Sequence, residues 1–125
     1  MNVVDSSAWL EYFAGGANAG QFGRVIEDTE RLIVPAMGLY EVFKRVLQQK
    51  SESEALQAVA AMQQGRVVDM DSRLAIDAAR ISITYQLPMA DSVMLSTARQ
   101  YSATLWTQDA RFKGMEGVEY RAPAR

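Results

Sequence analysis

Four acidic residues carry most of the chemistry open to this chain: Asp5, Glu41, Asp91 and Asp109. Asp5 closes the apolar run Met1-Asn2-Val3-Val4, and Asp109 follows a second apolar run that ends at Thr107. Asp91 comes just after Leu87-Pro88, and Glu41 sits inside a helical pattern that begins at Ala36. Each has an ordinary alternative. An Asp after a strand serves as a turn former or helix cap, and so can Asp91. Glu41, four residues before Arg45, can form a solvated i,i+4 pair worth about 0.2–0.5 kcal/mol. Asp5 is the least ordinary, because Ser6 and Ser7 offer two hydroxyls for capping and leave its carboxylate free. If the four converge, two carboxylates about 5 Å apart repel by roughly 3 kcal/mol at an effective dielectric of about 20. Several such pairs either raise pKa values or recruit a divalent cation.

The rest of the composition narrows the choice. His and Cys are absent, which removes imidazole catalysis, thiol nucleophiles, disulfides and His- or Cys-ligated zinc. An oxygen-only ligand set favours Mg²⁺ or Mn²⁺. Such an ion can lower the pKa of a bound water and neutralise a phosphate. The formal charge is −2, from 13 Lys plus Arg against 15 Asp plus Glu, so nucleic acid must be gripped locally and not by bulk charge. No stretch has the roughly 18 apolar residues of a membrane span, and Asp5 and Glu11 interrupt any leader-like N-terminus. A soluble, intracellular protein is expected, in the cytoplasm, with no membrane partner.

The 125 residues, 49% hydrophobic and 22% charged, read as one domain, 1–125, with Ala14 to Gly20 as a flexible loop. The pattern alternates short apolar strands with helices. Strands are expected at Met1–Val4, Leu32–Val34, Val67–Val68, Ala103–Thr107 and Val118–Tyr120. Helices are expected after Ser6 or Ser7, over about Ala19 to Thr29, from Ala36 to about residue 50, from the Ser51-Glu52-Ser53-Glu54 capping box to Gly65, from Ser72 to Leu87, and over about Ala90 to Tyr101. In the helix from Ala36, the stripe Ala36, Leu39, Tyr40, Phe43, Val46 and Leu47 predicts the core-facing side and puts Glu41 roughly opposite. This alternation predicts an α/β fold with a short, mainly parallel sheet, whose ligands gather at the carboxyl ends of the strands. Asp5 and Asp109 both belong there.

In order, Val3-Val4-Asp5-Ser6-Ser7-Ala8-Trp9-Leu10, Leu39-Tyr40-Glu41-Val42, Leu87-Pro88-Met89-Ala90-Asp91-Ser92-Val93-Met94 and Leu105-Trp106-Thr107-Gln108-Asp109-Ala110-Arg111-Phe112 resemble the PIN domain. Within that family the chain is similar to the VapC toxins of toxin–antitoxin pairs. The resemblance spans nearly the whole chain and implies a PIN-like three-layer sandwich. It also implies a Mg²⁺- or Mn²⁺-dependent endoribonuclease acting on RNA such as tRNA or rRNA, often a homodimer, silenced by a VapB-like antitoxin. Asp5, Glu41, Asp91 and Asp109 would form the acidic metal site. Ser6 or Ser7 and Thr107 would be supporting hydroxyls. One departure stands out: at Arg111 many relatives carry a further acid, which puts a complete second metal site in doubt and suggests one well-bound ion.

Two more expectations concern partners. Lys44, Arg45, Arg111 and Lys113 are the cations nearest the acids and are candidates for RNA phosphates. An apolar groove for the antitoxin is expected from Trp9, Leu10 and Phe13 together with the helix from Ala36. Other classes fit less well. A receiver-type phosphoacceptor needs neighbouring acids and a late Lys, and a dehalogenase-like phosphatase needs D-x-D where this chain has Ser7. The remaining alternative is a non-catalytic or antitoxin-silenced binding module of the same fold, against which the four acids speak.

Overall fold

The computed structural model describes residues 1–124. Its strands are β1 (Asn2–Val4), β2 (Leu32–Pro35), β3 (Arg66–Val68), β4 (Thr104–Thr107) and β5 (Val118–Tyr120). All pair in parallel, in the order β3-β2-β1-β4-β5. The helices are α1 (Ser6–Ala14), α2 (Ala19–Ile26), α3 (Ala36–Gln49), α4 (Glu52–Met62), α5 (Ser72–Tyr85) and α6 (Met89–Gln100), with short 3-10 turns at Thr29–Arg31 and Ala110–Phe112. Among the described residues no helix is long and apolar enough to cross a membrane.

Strand alternation divides the core between the two faces of the sheet. Val4, Leu32 and Val34 point to one face and pack with Trp9, Phe22, Ile26, Val42 and Met62 of α1 to α4. Val3, Ile33 and Leu105 point to the other and pack with Met94, Leu95 and Ala98 of α6 and with Phe112. Leu74 and Ala78 of α5 join that side through Val93. Helices thus cover both faces of an α/β three-layer sandwich, as an all-parallel sheet requires.

Several local expectations need correction. Ser6 and Ser7 lie inside α1, and the N-cap position belongs to Asp5, whose side chain makes no capping bond. For α5 the capping carboxylate is Asp71, which accepts from the Leu74 N–H at 2.9 Å; Ser72 is the first helical residue. The Ser51 cap is present, its Oγ accepting from Glu54 N–H at 3.1 Å. The Ala14 to Gly20 stretch is shorter as a loop, since Ala19 and Gly20 already belong to α2. Gly15 ends α1 at φ +65°, a left-handed conformation that glycine adopts without strain.

The largest correction concerns α3. Its buried residues are Gly38 and Val42, whereas Tyr40 is 60% exposed and Leu47 48%. A Cβ at Gly38 would lie 3.2 Å from the Met94 methyl carbon, so α3 and α6 approach closely at this glycine. The inward side is centred on Gly38 and Val42, and of the expected stripe Leu39 and Val46 still pack against the core beside them. Glu41, three residues on from Gly38, flanks that inward side and is partly buried instead of lying on the opposite, solvated face.

Candidate active site

Register places the first acid. Val4 pairs with Trp106 across β1 and β4, and the Asp5 N–H donates to the Trp106 carbonyl at 2.8 Å. Asp5 consequently sits beside Thr107 at the carboxyl edge of the two central strands, only 2% exposed. Two helices and one turn deliver the other acids to the same edge: Glu41 from α3, which follows β2, Asp91 from the first turn of α6, and Asp109 from the turn after β4.

A hydroxyl relay fixes Asp5. The backbone N–H groups of Gln108 and Asp109 donate to Ser7 Oγ at 3.0 Å and to Thr107 Oγ1 at 2.9 Å. With those oxygens accepting, each hydroxyl hydrogen is directed to Asp5 Oδ2, and both distances are 2.9 Å. A hydroxyl has one hydrogen, so the 3.3 Å approach of Ser7 Oγ to Thr107 Oγ1 is a contact left over from this arrangement. Asp5 Oδ1 receives nothing and is buried without a partner. Glu41 Oε1 is the other buried side-chain oxygen in this state among the described residues. Buried polar atoms are normally hydrogen-bonded, so two orphans at one sheet edge call for a cation or a proton.

The electrostatics are those of a crowded acidic cluster. Burial pushes Asp5 up, against the lowering pull of the Thr107 and Ser7 hydroxyls and of the Ser6 backbone N–H, with the Asp109 charge adding to the rise. Burial, then the Asp5 charge, raises Glu41 to about 7; the Ser6 hydroxyl opposes this and Asp91 adds to it. Asp91 rises to about 6, again first through burial and then through Asp5 and Asp109, opposed by Arg111. The mutual charge effects link Asp5 to Glu41, Asp91 and Asp109, so the structure brings the four predicted acids to one place.

Supporting residues divide differently from expectation. Ser7 and Thr107 hold Asp5, whereas the Ser6 hydroxyl acts on Glu41 only by drawing its pKa down. Asp109 caps the turn that follows it, Oδ1 accepting from Arg111 N–H at 2.9 Å. Arg111 is not a free cation beyond the site: its Nη1 lies 3.3 Å from Asp91 Oδ2 and 3.2 Å from Asp109 Oδ2. Lys44 and Lys113 lie over the rings of Tyr40 and Tyr120. Arg45 makes no ion pair with Glu41 among the described residues; it lines a groove of about 820 Å³ between α1, α3 and α4. Leu10, Phe13, Val46 and Ala58 also line the groove, and Ser7 and Gln108 connect it to the acids. Trp9 does not reach it. At 1% exposure Trp9 is core, stacked on Phe13 at 5.7 Å between ring centroids.

The donor set suits a hard divalent ion: carboxylate oxygens only, two of them buried and unpartnered. Among the described residues no three acidic side chains are already drawn up around one point, and Arg111 holds Asp91 and Asp109 to itself. Sequence reasoning missed this role of Arg111, although its spacing from Asp109 was a signal. It also missed the Gln108 N–H, for which a side-chain pattern gives no signal.

A chain with this sheet order, layering and acidic edge matches a known fold family. The PIN domain family model covers residues 3–118, and the chain belongs to that family. No curated protein matches it at the sequence level. Among solved structures it is similar to a chain of a toxin–antitoxin complex from Klebsiella pneumoniae, with a TM-score of 0.78 and 19% identity over 95% of this chain and 96% of that one. It is likewise similar to Mycobacterium tuberculosis VapC20, described as a sarcin-ricin loop cleaving toxin, with a TM-score of 0.77 and 17% identity over 93% and 95%. DNA-bound VapBC from Salmonella typhimurium gives a TM-score of 0.74 and 15% identity over 97% and 96%. The fold is the one seen in these toxin–antitoxin structures.

Proposed function

We propose that this protein is the endoribonuclease toxin of a toxin–antitoxin pair, hydrolysing RNA phosphodiesters at a Mg²⁺- or Mn²⁺-dependent site. The observation that carries the reading is the pair of buried, unpartnered oxygens, Asp5 Oδ1 and Glu41 Oε1, among four mutually repelling carboxylates. Asp5, Glu41, Asp91 and Asp109 would form the acidic metal site, with Asp5 and Glu41 offering the unpartnered oxygens to the ion. When bound, it would supply an acidified water and neutralise phosphate charge. Asp5 is held in one orientation by Ser7 and Thr107, so its free oxygen is presented without reorganisation. In the metal-free chain Glu41 is raised to about 7, so an arriving cation would displace a proton held there near neutrality. Arg45, Lys44 and Lys113 would contact flanking phosphates.

The substrate class proposed is structured RNA, tRNA or rRNA, met in the cytoplasm. VapC20, a neighbour in fold, is described as cleaving the sarcin-ricin loop, which supports an RNA target. A VapB-like antitoxin is the proposed partner, since several neighbours are toxin–antitoxin complexes. It would seat an apolar segment in the groove lined by Leu10 and Phe13. A homodimer is proposed through the outer face of α5, where Ile76 and Ile83, seven residues apart, are 55% and 83% exposed. The test is cleavage of tRNA and rRNA by purified protein with Mn²⁺. Asp5→Asn should lower the rate by at least about 10²-fold while the circular dichroism spectrum stays that of wild type. Full activity in Asp5→Asn, or in excess EDTA, would overturn the reading.

A further inference from the structure

Arg111 occupies an unusual position for a surface arginine. The turn Ala110–Phe112 is fixed at both ends: Asp109 caps it, and Phe112 is fully buried. Between these anchors the Arg111 side chain is directed back to the sheet edge. One guanidinium nitrogen, Nη1, approaches two carboxylates from different elements, Asp91 Oδ2 at 3.3 Å and Asp109 Oδ2 at 3.2 Å. One charged nitrogen between two carboxylates is the arrangement that a bridging cation would otherwise make. The remainder of the cluster lacks such compensation. Asp5, 2% exposed, keeps Oδ1 unpartnered, and Glu41 keeps Oε1 unpartnered. The acidic edge is thus divided into a half already neutralised from within the chain and a half that is open.

We propose that Arg111 is a tethered cation standing in the place of a second metal ion, so that the site takes a single divalent ion, for which Asp5 Oδ1 and Glu41 Oε1 are the free oxygens. The inference rests on the proposed metal-dependent function and adds that Arg111 competes with metal for Asp91 and Asp109. An ordinary exposed ion pair contributes little and would leave metal binding unchanged. A competing cation sets the number of ions bound.

The test is isothermal titration of the metal-free protein with Mn²⁺, comparing wild type with Arg111→Gln, Arg111→Met and Arg111→Lys. Melting and circular dichroism would verify the fold, and the Met variant keeps the hydrocarbon packing of the arginine stem. Wild type and Arg111→Lys should bind one Mn²⁺ per chain. Arg111→Gln and Arg111→Met should bind a second, or bind the first about tenfold more tightly or better. Neutral variants that bind the same number of ions with wild-type affinity would overturn the role of Arg111 and leave the metal site standing. So would two ions bound to wild type. Absence of Mn²⁺ binding to every protein would overturn the metal-dependent reading itself, and the inference with it.

Discussion

Replacing Glu41 by Gln should stabilise the metal-free protein while impairing it as a metal site. Glu41 is half-buried, its Oε1 has no partner, and the Asp5 and Asp91 charges oppose its ionisation. Its pKa is about 7 in the folded chain, against an ordinary 4.5. The native state therefore holds this proton more tightly than the unfolded state. The associated stability is present below pH 4.5 and is lost as pH rises through 7. Taken at face value the shift corresponds to about 3 kcal/mol; solvent screening of a partly exposed group reduces that to about 1–2 kcal/mol. Glutamine cannot ionise and escapes the loss. For a domain of this size the expected gain in melting temperature is about 5 °C at pH 8 in EDTA. At pH 5 it should shrink to about a quarter of that. Differential scanning fluorimetry across pH 5 to 8 reads both values. Saturating Mn²⁺ should then reverse the order, because an ion at about 100 times its Kd adds roughly 2.7 kcal/mol to the protein that binds it. If Glu41→Gln melts at or below wild type at pH 8 in EDTA, with an unchanged circular dichroism spectrum, Glu41 is not the strained carboxylate described.

Thr107→Val removes the donor to Asp5 Oδ2 and the acceptor for the Asp109 N–H inside a buried network; a loss of about 1–2 kcal/mol is expected in urea unfolding, and an unchanged midpoint would refute the relay. Lys44→Ala and Arg45→Ala should each weaken RNA binding and flatten its salt dependence by about 0.7 in log–log slope per lost contact; superimposable salt titrations would place the RNA path elsewhere. Phe13→Ala should weaken a cognate antitoxin peptide, and because Trp9 stacks on Phe13, Trp9 fluorescence should report the docking even though Trp9 is not in the groove. A peptide that blocks cleavage with no change in Trp9 emission would exclude this groove.

Much of the fold was legible because its signals are local. Val118–Tyr120 is a strand as expected, and Ser51 caps α4 through the spacing that predicts it. Asp5 and Asp109 share an edge because two parallel strands leave no other arrangement. The orientation of α3 was legible only in part, through Leu39 and Val46, which pack against the core. A stripe of large residues ordinarily marks the buried side, but here close approach of α6 demands the small Gly38 there and leaves Tyr40 and Leu47 outside. The layering of α6 was hidden for another reason. Its residues from Asp91 to Ala98 are buried all round, which erases amphipathic periodicity. Polar residues survive inside it by bonding to carbonyls of their own turn, Thr97 to Val93 at 2.7 Å and Ser92 to Pro88 at 2.9 Å. Arg111 was misplaced because spacing identifies a neighbour of the site but not which way a long side chain turns.

The central position of β1 has a consequence for when the acidic edge is assembled during synthesis. Asp5 is oriented by Thr107, a hydrogen bond spanning 102 residues of sequence. Its strand has β2 on one side and β4 on the other. A nascent chain emerging from the ribosome can pair β1 with β2 early, yet Asp5 has no second strand beside it until Thr104–Thr107 is released. Every shorter product of interrupted translation lacks the oriented carboxylate. Synthesis itself therefore postpones the orientation of Asp5 until Thr107 has emerged, whatever the first hundred residues have already built.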